Sequence, residues 1–148
     1  MNLCLIDIGG TNIRYSFFCK NKKLSIKKKE IPSSKSFYQI LNEILKEKET
    51  IVTDLVISAA GPKFNQIIKM TNQKFVIDAK KIKKKFNLQN CFVLNDLEAA
   101  GYCLDKIKLK DKKIIKKGYK SNNNRILVCP GTGLSLIHIS EPTRPRLI

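Results

Sequence analysis

An aspartate followed by two glycines and a threonine, Asp7-Ile8-Gly9-Gly10-Thr11, could do chemistry on a bound phosphate. Backbone N–H groups at glycine can approach a phosphate closely because no Cβ intervenes, and Asp7 could supply an oxygen ligand for a phosphate-bound Mg²⁺. A tight hairpin turn also needs glycine. On these residues alone, a phosphate loop and a plain turn are equally well supported.

A second candidate is the pair Asn95-Asp96, which follows the apolar run Cys91–Leu94 and precedes a helix-like segment. This position is the carboxyl end of a sheet strand, where ligands bind in α/β folds. Asp96 could there accept the proton of an attacking hydroxyl, a role worth about 10²–10⁴ in rate. A structural alternative stays open, because Asn95 with Glu98 resembles a capping box and Asp96 favours any helix N-terminus.

The segments that would position these residues alternate between strands and helices. Apolar runs or alternating apolar residues predict strands at Leu3–Ile8, at Ile13, Tyr15 and Phe17, at Leu24, Ile26 and Ile31, and at Val52–Ala59, Cys91–Leu94 and Ile126–Cys129. Helices are predicted at Phe37–Leu45 with Ser33 or Ser34 as cap, from the cap Asp78 through Phe86, and at Leu97–Leu104. The alternation predicts an α/β sheet.

A second glycine turn, Gly131-Thr132-Gly133, follows the last of these strands and weakly echoes the first turn. Two such turns could clasp one polyphosphate. Between the two, Lys106–Asn124 is polar and lysine-dense, which predicts a surface excursion or a connection between lobes.

Composition bounds the class of protein. A chain of 148 residues with 43% hydrophobic content can bury one ordinary core, and a complete two-lobed enzyme would not fit. No apolar run is long enough to cross a bilayer and no leader-like start is present, so we expect a cytoplasmic protein without a membrane partner. The five cysteines form no C-x-x-C pair and are expected to be buried free thiols. A single histidine, His138, excludes a Ser-His-Asp triad and leaves proton transfer to a carboxylate.

The formal charge of +17 raises the hypothesis of nucleic-acid binding. Only four of the 29 basic residues are arginine, and there is no Trp, whereas phosphate and base recognition favours the guanidinium fork and aromatic stacking. We therefore do not expect a nucleic-acid partner. The runs Lys27–Lys29 and Lys83–Lys85 are the best support for the opposite view.

Four segments taken together resemble bacterial glucokinase, in the same order and at similar spacing. They are Asp7–Arg14, Met70–Asn72, Leu94–Ala100 and Gly131–Leu134. The resemblance covers residues 1–134 and implies the actin-like ATPase (ribonuclease H-like) fold of hexokinases, an α/β fold with two lobes. It implies that residues 1–115 form the small N-terminal lobe with the first phosphate loop, and that 116–134 supply only the first strand of a truncated large lobe.

The same resemblance implies the cofactors ATP and Mg²⁺, the partners glucose and ATP, and phosphorylation of the glucose 6-hydroxyl in glycolysis. Asp96 would be the general base. Asn95, Asn72 and Thr71 would bind the sugar. The phosphates would be bound by Asp7, Ile8, Gly9, Gly10, Thr11, Asn12, Gly131, Thr132 and Gly133, with Asp7 also holding Mg²⁺ through water. A homodimer of the full-length enzyme is compatible with the resemblance.

From Leu134 onward the chain reads like the translation of a transposase sequencing adapter, and Ser135 stands where the family continues with glycine. We expect residues 135–148 to be adapter-derived, the alternative being a genuine polar C-terminus. Because most of the large lobe is then missing, we expect the chain alone to be inactive.

Two other functions stay open. One is a related kinase for another hexose or an amino sugar, which the missing sugar contacts would decide. The other is a non-catalytic module that senses sugars or binds nucleic acid. A strand that begins at Leu3 disfavours the sugar-sensing regulator, which carries a helix-turn-helix before its first phosphate loop.

Overall fold

A computed structural model of the chain describes residues 2–18, 25–47, 51–71, 73–116, 125–130 and 134–139. The chain divides into two compact units, Met1–Asp96 and Leu97–Ile148. Most of the candidate site residues lie in the first unit.

The first unit is built on a five-stranded sheet. Its strands are β1 (Leu3–Ile8), β2 (Asn12–Phe18), β3 (Ile26–Glu30), β4 (Asp54–Ala59) and, after three shorter strands, β8 (Asn90–Asn95), in the order β3-β2-β1-β4-β8. β1, β2 and β3 pair antiparallel, whereas β4 and β8 run parallel to β1. The strands predicted for this sheet are thus confirmed, except that the third is shorter than predicted: Ile31 lies beyond the end of β3, and Leu24 lies outside the described residues. The two parallel strands carry their carboxyl ends to the edge at which β1 ends.

Alternation along β1 determines which of its side chains enter the core. Cys4, Ile6 and Ile8 are buried, whereas Leu5 and Asp7 on the opposite face of the pleat are half-buried. The core also contains alternate residues of β2, β4 and β8 and the apolar face of the first helix. Among its fully buried members are Ile13, Leu55, Ile57, Val93, Ile40 and Leu41.

The first helix, α1 (Phe37–Lys46), begins one residue after Ser36, which is its cap. The Ser36 hydroxyl accepts a hydrogen bond from the Gln39 N–H, and the Gln39 side chain accepts one from the Ser36 N–H at 2.8 Å. The prediction of Ser33 or Ser34 as cap was therefore wrong. A cap must directly precede the first helical residue, and these two serines instead lie in a turn that the Lys35 N–H closes on the Pro32 carbonyl.

The second helix, α2 (Ala79–Lys85), has the predicted cap, because Asp78 Oδ1 accepts a hydrogen bond from the Lys81 N–H at 3.1 Å. The helix ends at Lys85 with Phe86 as its C-terminal cap, and Asn87 follows at φ 49°. Asparagine is one of the few residues besides glycine that tolerates this left-handed conformation, which commonly ends a helix.

A small antiparallel sheet between β4 and α2 was not predicted. It consists of β5 (Lys63–Phe64), β6 (Ile67–Lys69) and β7 (Val76–Asp78). Strands of two or three residues are too short to display an alternating pattern. Their burial is nevertheless clear, because the paired Ile68 and Ile77 are fully buried, whereas Ile67, Lys69 and Val76 are exposed and Asp78 is half-buried.

The second unit contains most of α3 (Asp96–Cys103), two short 3₁₀ turns (Leu104–Lys106 and Leu109–Asp111) and an antiparallel pair, β9 (Arg125–Pro130) and β10 (Leu134–Ile139). Residues 110–116 are exposed, in agreement with the surface excursion predicted for Lys106–Asn124, of which residues 117–124 lie outside the described part of the chain. β10 includes residues 135–139 of the segment predicted to be adapter-derived, and the proposed division at 115 and 134 stays a prediction. Within the described ranges, none of the helices has the length and apolar content needed to cross a membrane.

The cysteines only partly match the expectation of buried thiols. Cys4 and Cys91 are buried, and burial raises the pKa of the Cys91 thiol to about 12. Cys129 is half-buried and Cys103 is exposed, while Cys19 lies outside the described residues. The expectation was wrong for Cys103, which lies at the end of α3, a helix without a buried residue.

Candidate functional site

The register of the parallel strands brings the two predicted clusters to one edge of the sheet. Ile8 pairs with Ala59, and Ala59 pairs with Asn95. Adjacent strands lie about 4.8 Å apart, so the end of β1 and the end of β8 are separated by roughly 10 Å. The loop that follows Ile8 and the Asn95-Asp96 pair therefore share the edge at which ligands bind in α/β folds.

The Gly9-Gly10-Thr11 loop joins β1 to β2, and Gly9 serves the turn itself. Its N–H donates to the Asn12 carbonyl at 2.9 Å, and a Cβ at Gly9 would lie 3.3 Å from the same oxygen. By contrast, Gly10 and Thr11 are exposed, and their N–H groups make no hydrogen bond within the part of the chain that the structure describes. The plain-turn interpretation thus describes Gly9, and the outer N–H groups of Gly10 and Thr11 fit an anion.

Carbonyl groups of this loop are held from two sides. The Thr11 carbonyl accepts a hydrogen bond from the Ile31 N–H at 3.0 Å, and the Gly10 carbonyl accepts one from Gln73 Nε2 at 2.5 Å. The Asn12 side chain donates to the Thr11 hydroxyl at 2.8 Å. Ile8 is 1% exposed, so only its backbone can take part in binding.

An open depression of about 340 Å³ adjoins the loop. Its lining consists of Gly10, Thr11, Asn12, Glu30, Ile31 and Gln73. This volume is at the lower end of the range for ligand pockets, and the walls are mainly polar. The depression can accept a small polar group, and the negative charge of Glu30 in its lining disfavours an anion beside that residue.

Asp7 lies on the half-buried face of β1, opposite Arg14 of β2. Arg14 Nη1 is 3.3 Å from Asp7 Oδ2, and 49% of the Asp7 side chain is exposed. Within the described ranges, no group of three His, Cys, Asp or Glu residues could enclose a metal ion. A single accessible carboxylate suits Mg²⁺ that keeps most of its water ligands, and such an ion would compete with Arg14 for Asp7.

Asn95 is anchored to the turn after β4. Its side-chain Nδ2 donates to the Gly61 carbonyl at 2.9 Å. Gly61 has φ 149°, and a Cβ at this position would lie only 2.4 Å from the Lys69 carbonyl oxygen. The turn therefore packs directly on the backbone of β6, and Asp96, an exposed residue, begins α3 immediately after this anchored position.

Thr71 lies exposed in the loop between β6 and β7. The base of this loop is closed by a hydrogen bond from the Met70 N–H to the Phe75 carbonyl at 3.0 Å, and the Phe75 ring packs 5.8 Å from that of Phe37 in α1. The predicted site residues Asn72, Gly131, Thr132 and Gly133 lie outside the described residues.

Sequence reasoning missed Gln73, Glu30 and the contact between Gly61 and Asn95. The dipeptide Gly61-Pro62 signalled a turn but not its packing partner. Gln73 lies 63 residues from Gly10 in the chain, and no local pattern marks such a contact.

A polar cluster around the buried Asp54 lies at the opposite, amino end of the parallel strands. Asp54 accepts hydrogen bonds from the Thr53 hydroxyl at 2.6 Å and from the Asn90 side chain at 2.7 Å. These two bonds lower the pKa of Asp54 below its ordinary value, outweighing the effect of burial. Because Asp54 and Asn90 begin β4 and β8, this cluster fixes the strands at the end remote from the site.

The protein-family model for glucokinase matches residues 5–145 of the chain. Among curated relatives, the glucokinase of Agrobacterium fabrum is 29% identical over 140 residues, which are 90% of this chain and 41% of the relative. The glucokinase of Brucella abortus is 28% identical over 139 residues, 88% of this chain and 39% of the relative. The chain thus spans about two fifths of the length of these relatives.

Solved structures share the fold. A glucokinase from an Antarctic psychrotroph superimposes with a TM-score of 0.73 at 24% identity, covering 91% of this chain and 45% of that one. A ROK family glucokinase from Streptomyces griseus, in complex with glucose and AMPPNP, superimposes with a TM-score of 0.63 at 20% identity, covering 95% of this chain and 45% of that one. The Lmo2764 protein of Listeria monocytogenes, a candidate N-acetylmannosamine kinase, superimposes with a TM-score of 0.66 at 23% identity, covering 95% of this chain and 47% of that one. The predicted α/β fold of actin-like sugar kinases is confirmed.

Proposed function

Because this chain belongs to the glucokinase family, we propose that it supplies one wall of an active site that transfers a phosphoryl group from ATP to the 6-hydroxyl of glucose. The observation that carries the proposal is the register of Ile8, Ala59 and Asn95, which sets the glycine loop and Asp96 on one edge of the sheet. An enzyme of this kind works mainly by positioning its two substrates and neutralising charge.

At the phosphate end, the N–H groups of Gly10 and Thr11 would donate to phosphate oxygens. Mg-ATP, when bound, supplies the transferable group and the neutralising metal charge. The Asp7 carboxylate would hold a water ligand of Mg²⁺, and Arg14 keeps that carboxylate oriented across the β1–β2 pair. The loop would be stabilised by the backbone of Ile8, by the Gly9 N–H bond to the Asn12 carbonyl and by the Asn12 side chain.

At the sugar end, Asp96 would accept the proton of the attacking 6-hydroxyl. Asn95 would bind the sugar, and its bond to the Gly61 carbonyl holds the junction of β8 and α3 in place. Thr71 and Asn72 would add sugar contacts from the neighbouring loop. Gly131, Thr132 and Gly133 would form the second phosphate turn.

A kinase for another hexose or for an amino sugar is the second candidate. The shared fold of a candidate N-acetylmannosamine kinase supports keeping it. The two candidates differ in the sugar that is accepted, so a panel of hexoses separates them.

We also propose a cytoplasmic location for the enzyme, and we propose that its full-length form can dimerise.

The test is to recover the intact gene by amplifying outward from the codons for Gly131–Leu134 and to assay the product with ATP, Mg²⁺ and a sugar panel. Asp96→Asn should lower kcat by about 10²–10⁴ with little change in KM for glucose, because it removes only the proton acceptor. Asp111→Asn, a matched change at an exposed aspartate, should leave kcat unchanged.

Each result has a clear meaning. Near-normal turnover of Asp96→Asn would contradict the role of Asp96 as general base. A preference for another hexose or an amino sugar would contradict the glucose assignment and favour the second candidate function. The 148-residue chain alone should show no turnover, since it spans two fifths of its relatives; activity above that of its own Asp96→Asn variant would contradict this.

A further inference from the structure

The side chain of Gln73 links two loops that are distant in the sequence. Its Nε2 donates to the Gly10 carbonyl, and the two residues are 63 positions apart. Gln73 lies in the β6–β7 loop, whose base is fixed by the Met70–Phe75 hydrogen bond and by packing of Phe75 on α1. The donor is therefore presented from a well-anchored segment.

This contact bears directly on the N–H group of Thr11. The Gly10 carbonyl and the Thr11 N–H belong to one planar trans peptide and point in opposite directions. Glycine lets such a peptide turn over easily because it has no Cβ to restrict its dihedral angles. Holding the carbonyl thus fixes the direction of the Thr11 N–H.

The next peptide is already held by the backbone. The Thr11 carbonyl is bound by the Ile31 N–H at 3.0 Å, and Gly9 is bound to Asn12 at the base of the loop. Among the bonds formed by the described residues, the Gly10–Thr11 peptide is thus secured by a side chain alone.

We propose that Gln73 is a positioning residue that pre-organises the Gly10–Thr11 peptide for phosphate. This inference rests on the proposed function of the loop. It also ties the two ends of the site together, because the loop of Gln73 carries Thr71 and continues from the β6 backbone on which Gly61, the partner of Asn95, is packed.

The experiment uses the isotope-labelled 148-residue chain and inorganic tripolyphosphate as probe. Gln73→Leu removes the donor, and Gln73→Glu keeps the shape but cannot donate once ionised. Gln89→Leu is the matched control at an exposed glutamine. The readouts are the Gly10 carbonyl ¹³C shift, relaxation dispersion of the Thr11 amide, which detects peptide reorientation on the μs–ms scale, and the tripolyphosphate affinity.

Both Gln73 variants should shift the Gly10 carbonyl signal, broaden the Thr11 amide and weaken tripolyphosphate binding by about 2- to 10-fold, the effect of one hydrogen bond. Gln89→Leu should behave as wild type. If wild type binds and neither Gln73 variant changes the signal or the affinity, the positioning role is overturned while the phosphate loop stands. If tripolyphosphate leaves Gly10 and Thr11 of the wild type unperturbed, the proposed loop function falls, and this inference with it.

Discussion

Replacing Gly61 by alanine should strongly destabilise the first unit. The backbone at Gly61 has φ 149°, a conformation that L-residues rarely adopt and that costs about 1–3 kcal/mol when imposed. The new Cβ would also lie 2.4 Å from the Lys69 carbonyl oxygen, and relieving such overpacking costs about 1–3 kcal/mol more. The expected loss is therefore about 2–6 kcal/mol, a large part of the 5–15 kcal/mol that stabilises an ordinary domain.

Urea unfolding followed by far-UV circular dichroism measures this loss. The matched control is Gly101→Ala inside α3, where alanine is the better helix former and should be neutral or stabilise by up to about 1 kcal/mol. The Gly61 carbonyl also accepts the Asn95 bond, so the Asn95 side-chain amide signals should shift in Gly61→Ala. An unfolding midpoint equal to that of wild type would refute the packing of this turn on β6.

Two further predictions concern stability. The pKa of Asp54 is lowered in the folded state, so its hydrogen bonds stabilise the fold at pH values above the ordinary aspartate pKa, and this stabilisation is lost as the pH falls below about 4. Urea unfolding at pH 7, 4 and 3 should show the loss. Asp54→Asn should be less stable than wild type at pH 7 and should lose less further stability on acidification. Equal pH dependence of the two proteins would contradict it. Ser36→Ala should lower the free energy of unfolding by about 0.5–2 kcal/mol through loss of the α1 cap, whereas Ser33→Ala and Ser34→Ala should change it by less than about 0.5 kcal/mol. A larger loss for Ser34→Ala than for Ser36→Ala would overturn the assigned cap.

Much of the fold could be predicted because its larger elements carry their own patterns. The alternation Ile13-Tyr15-Phe17 and the helical spacing from Phe37 correspond directly to buried faces. The β5–β7 sheet could not be predicted, because strands of two or three residues are too short to repeat an alternating pattern. Its burial depends on the pairing of Ile68 in β6 with Ile77 in β7, which lie nine positions apart in the chain.

The same division applies to the site. The glycine loop and the Asn95-Asp96 pair each follow an apolar strand, and parallel pairing brings such strand ends together. The contacts that hold them, Gln73 to Gly10 and Asn95 to Gly61, join residues 63 and 34 positions apart. Such contacts arise only when the sheet is assembled. The ion pair of Arg14 with Asp7 was likewise hidden, since it depends on the antiparallel register of β1 and β2.

The most direct test of the shared-edge site is a crystal structure of the recovered full-length protein with glucose and a non-hydrolysable ATP analogue. The terminal phosphate should accept hydrogen bonds from the N–H groups of Gly10 and Thr11, and the glucose 6-hydroxyl should lie within about 2.6–3.2 Å of an Asp96 carboxylate oxygen. A nucleotide bound away from the Gly10–Thr11 loop, or a sugar out of reach of Asp96, would contradict the proposed site.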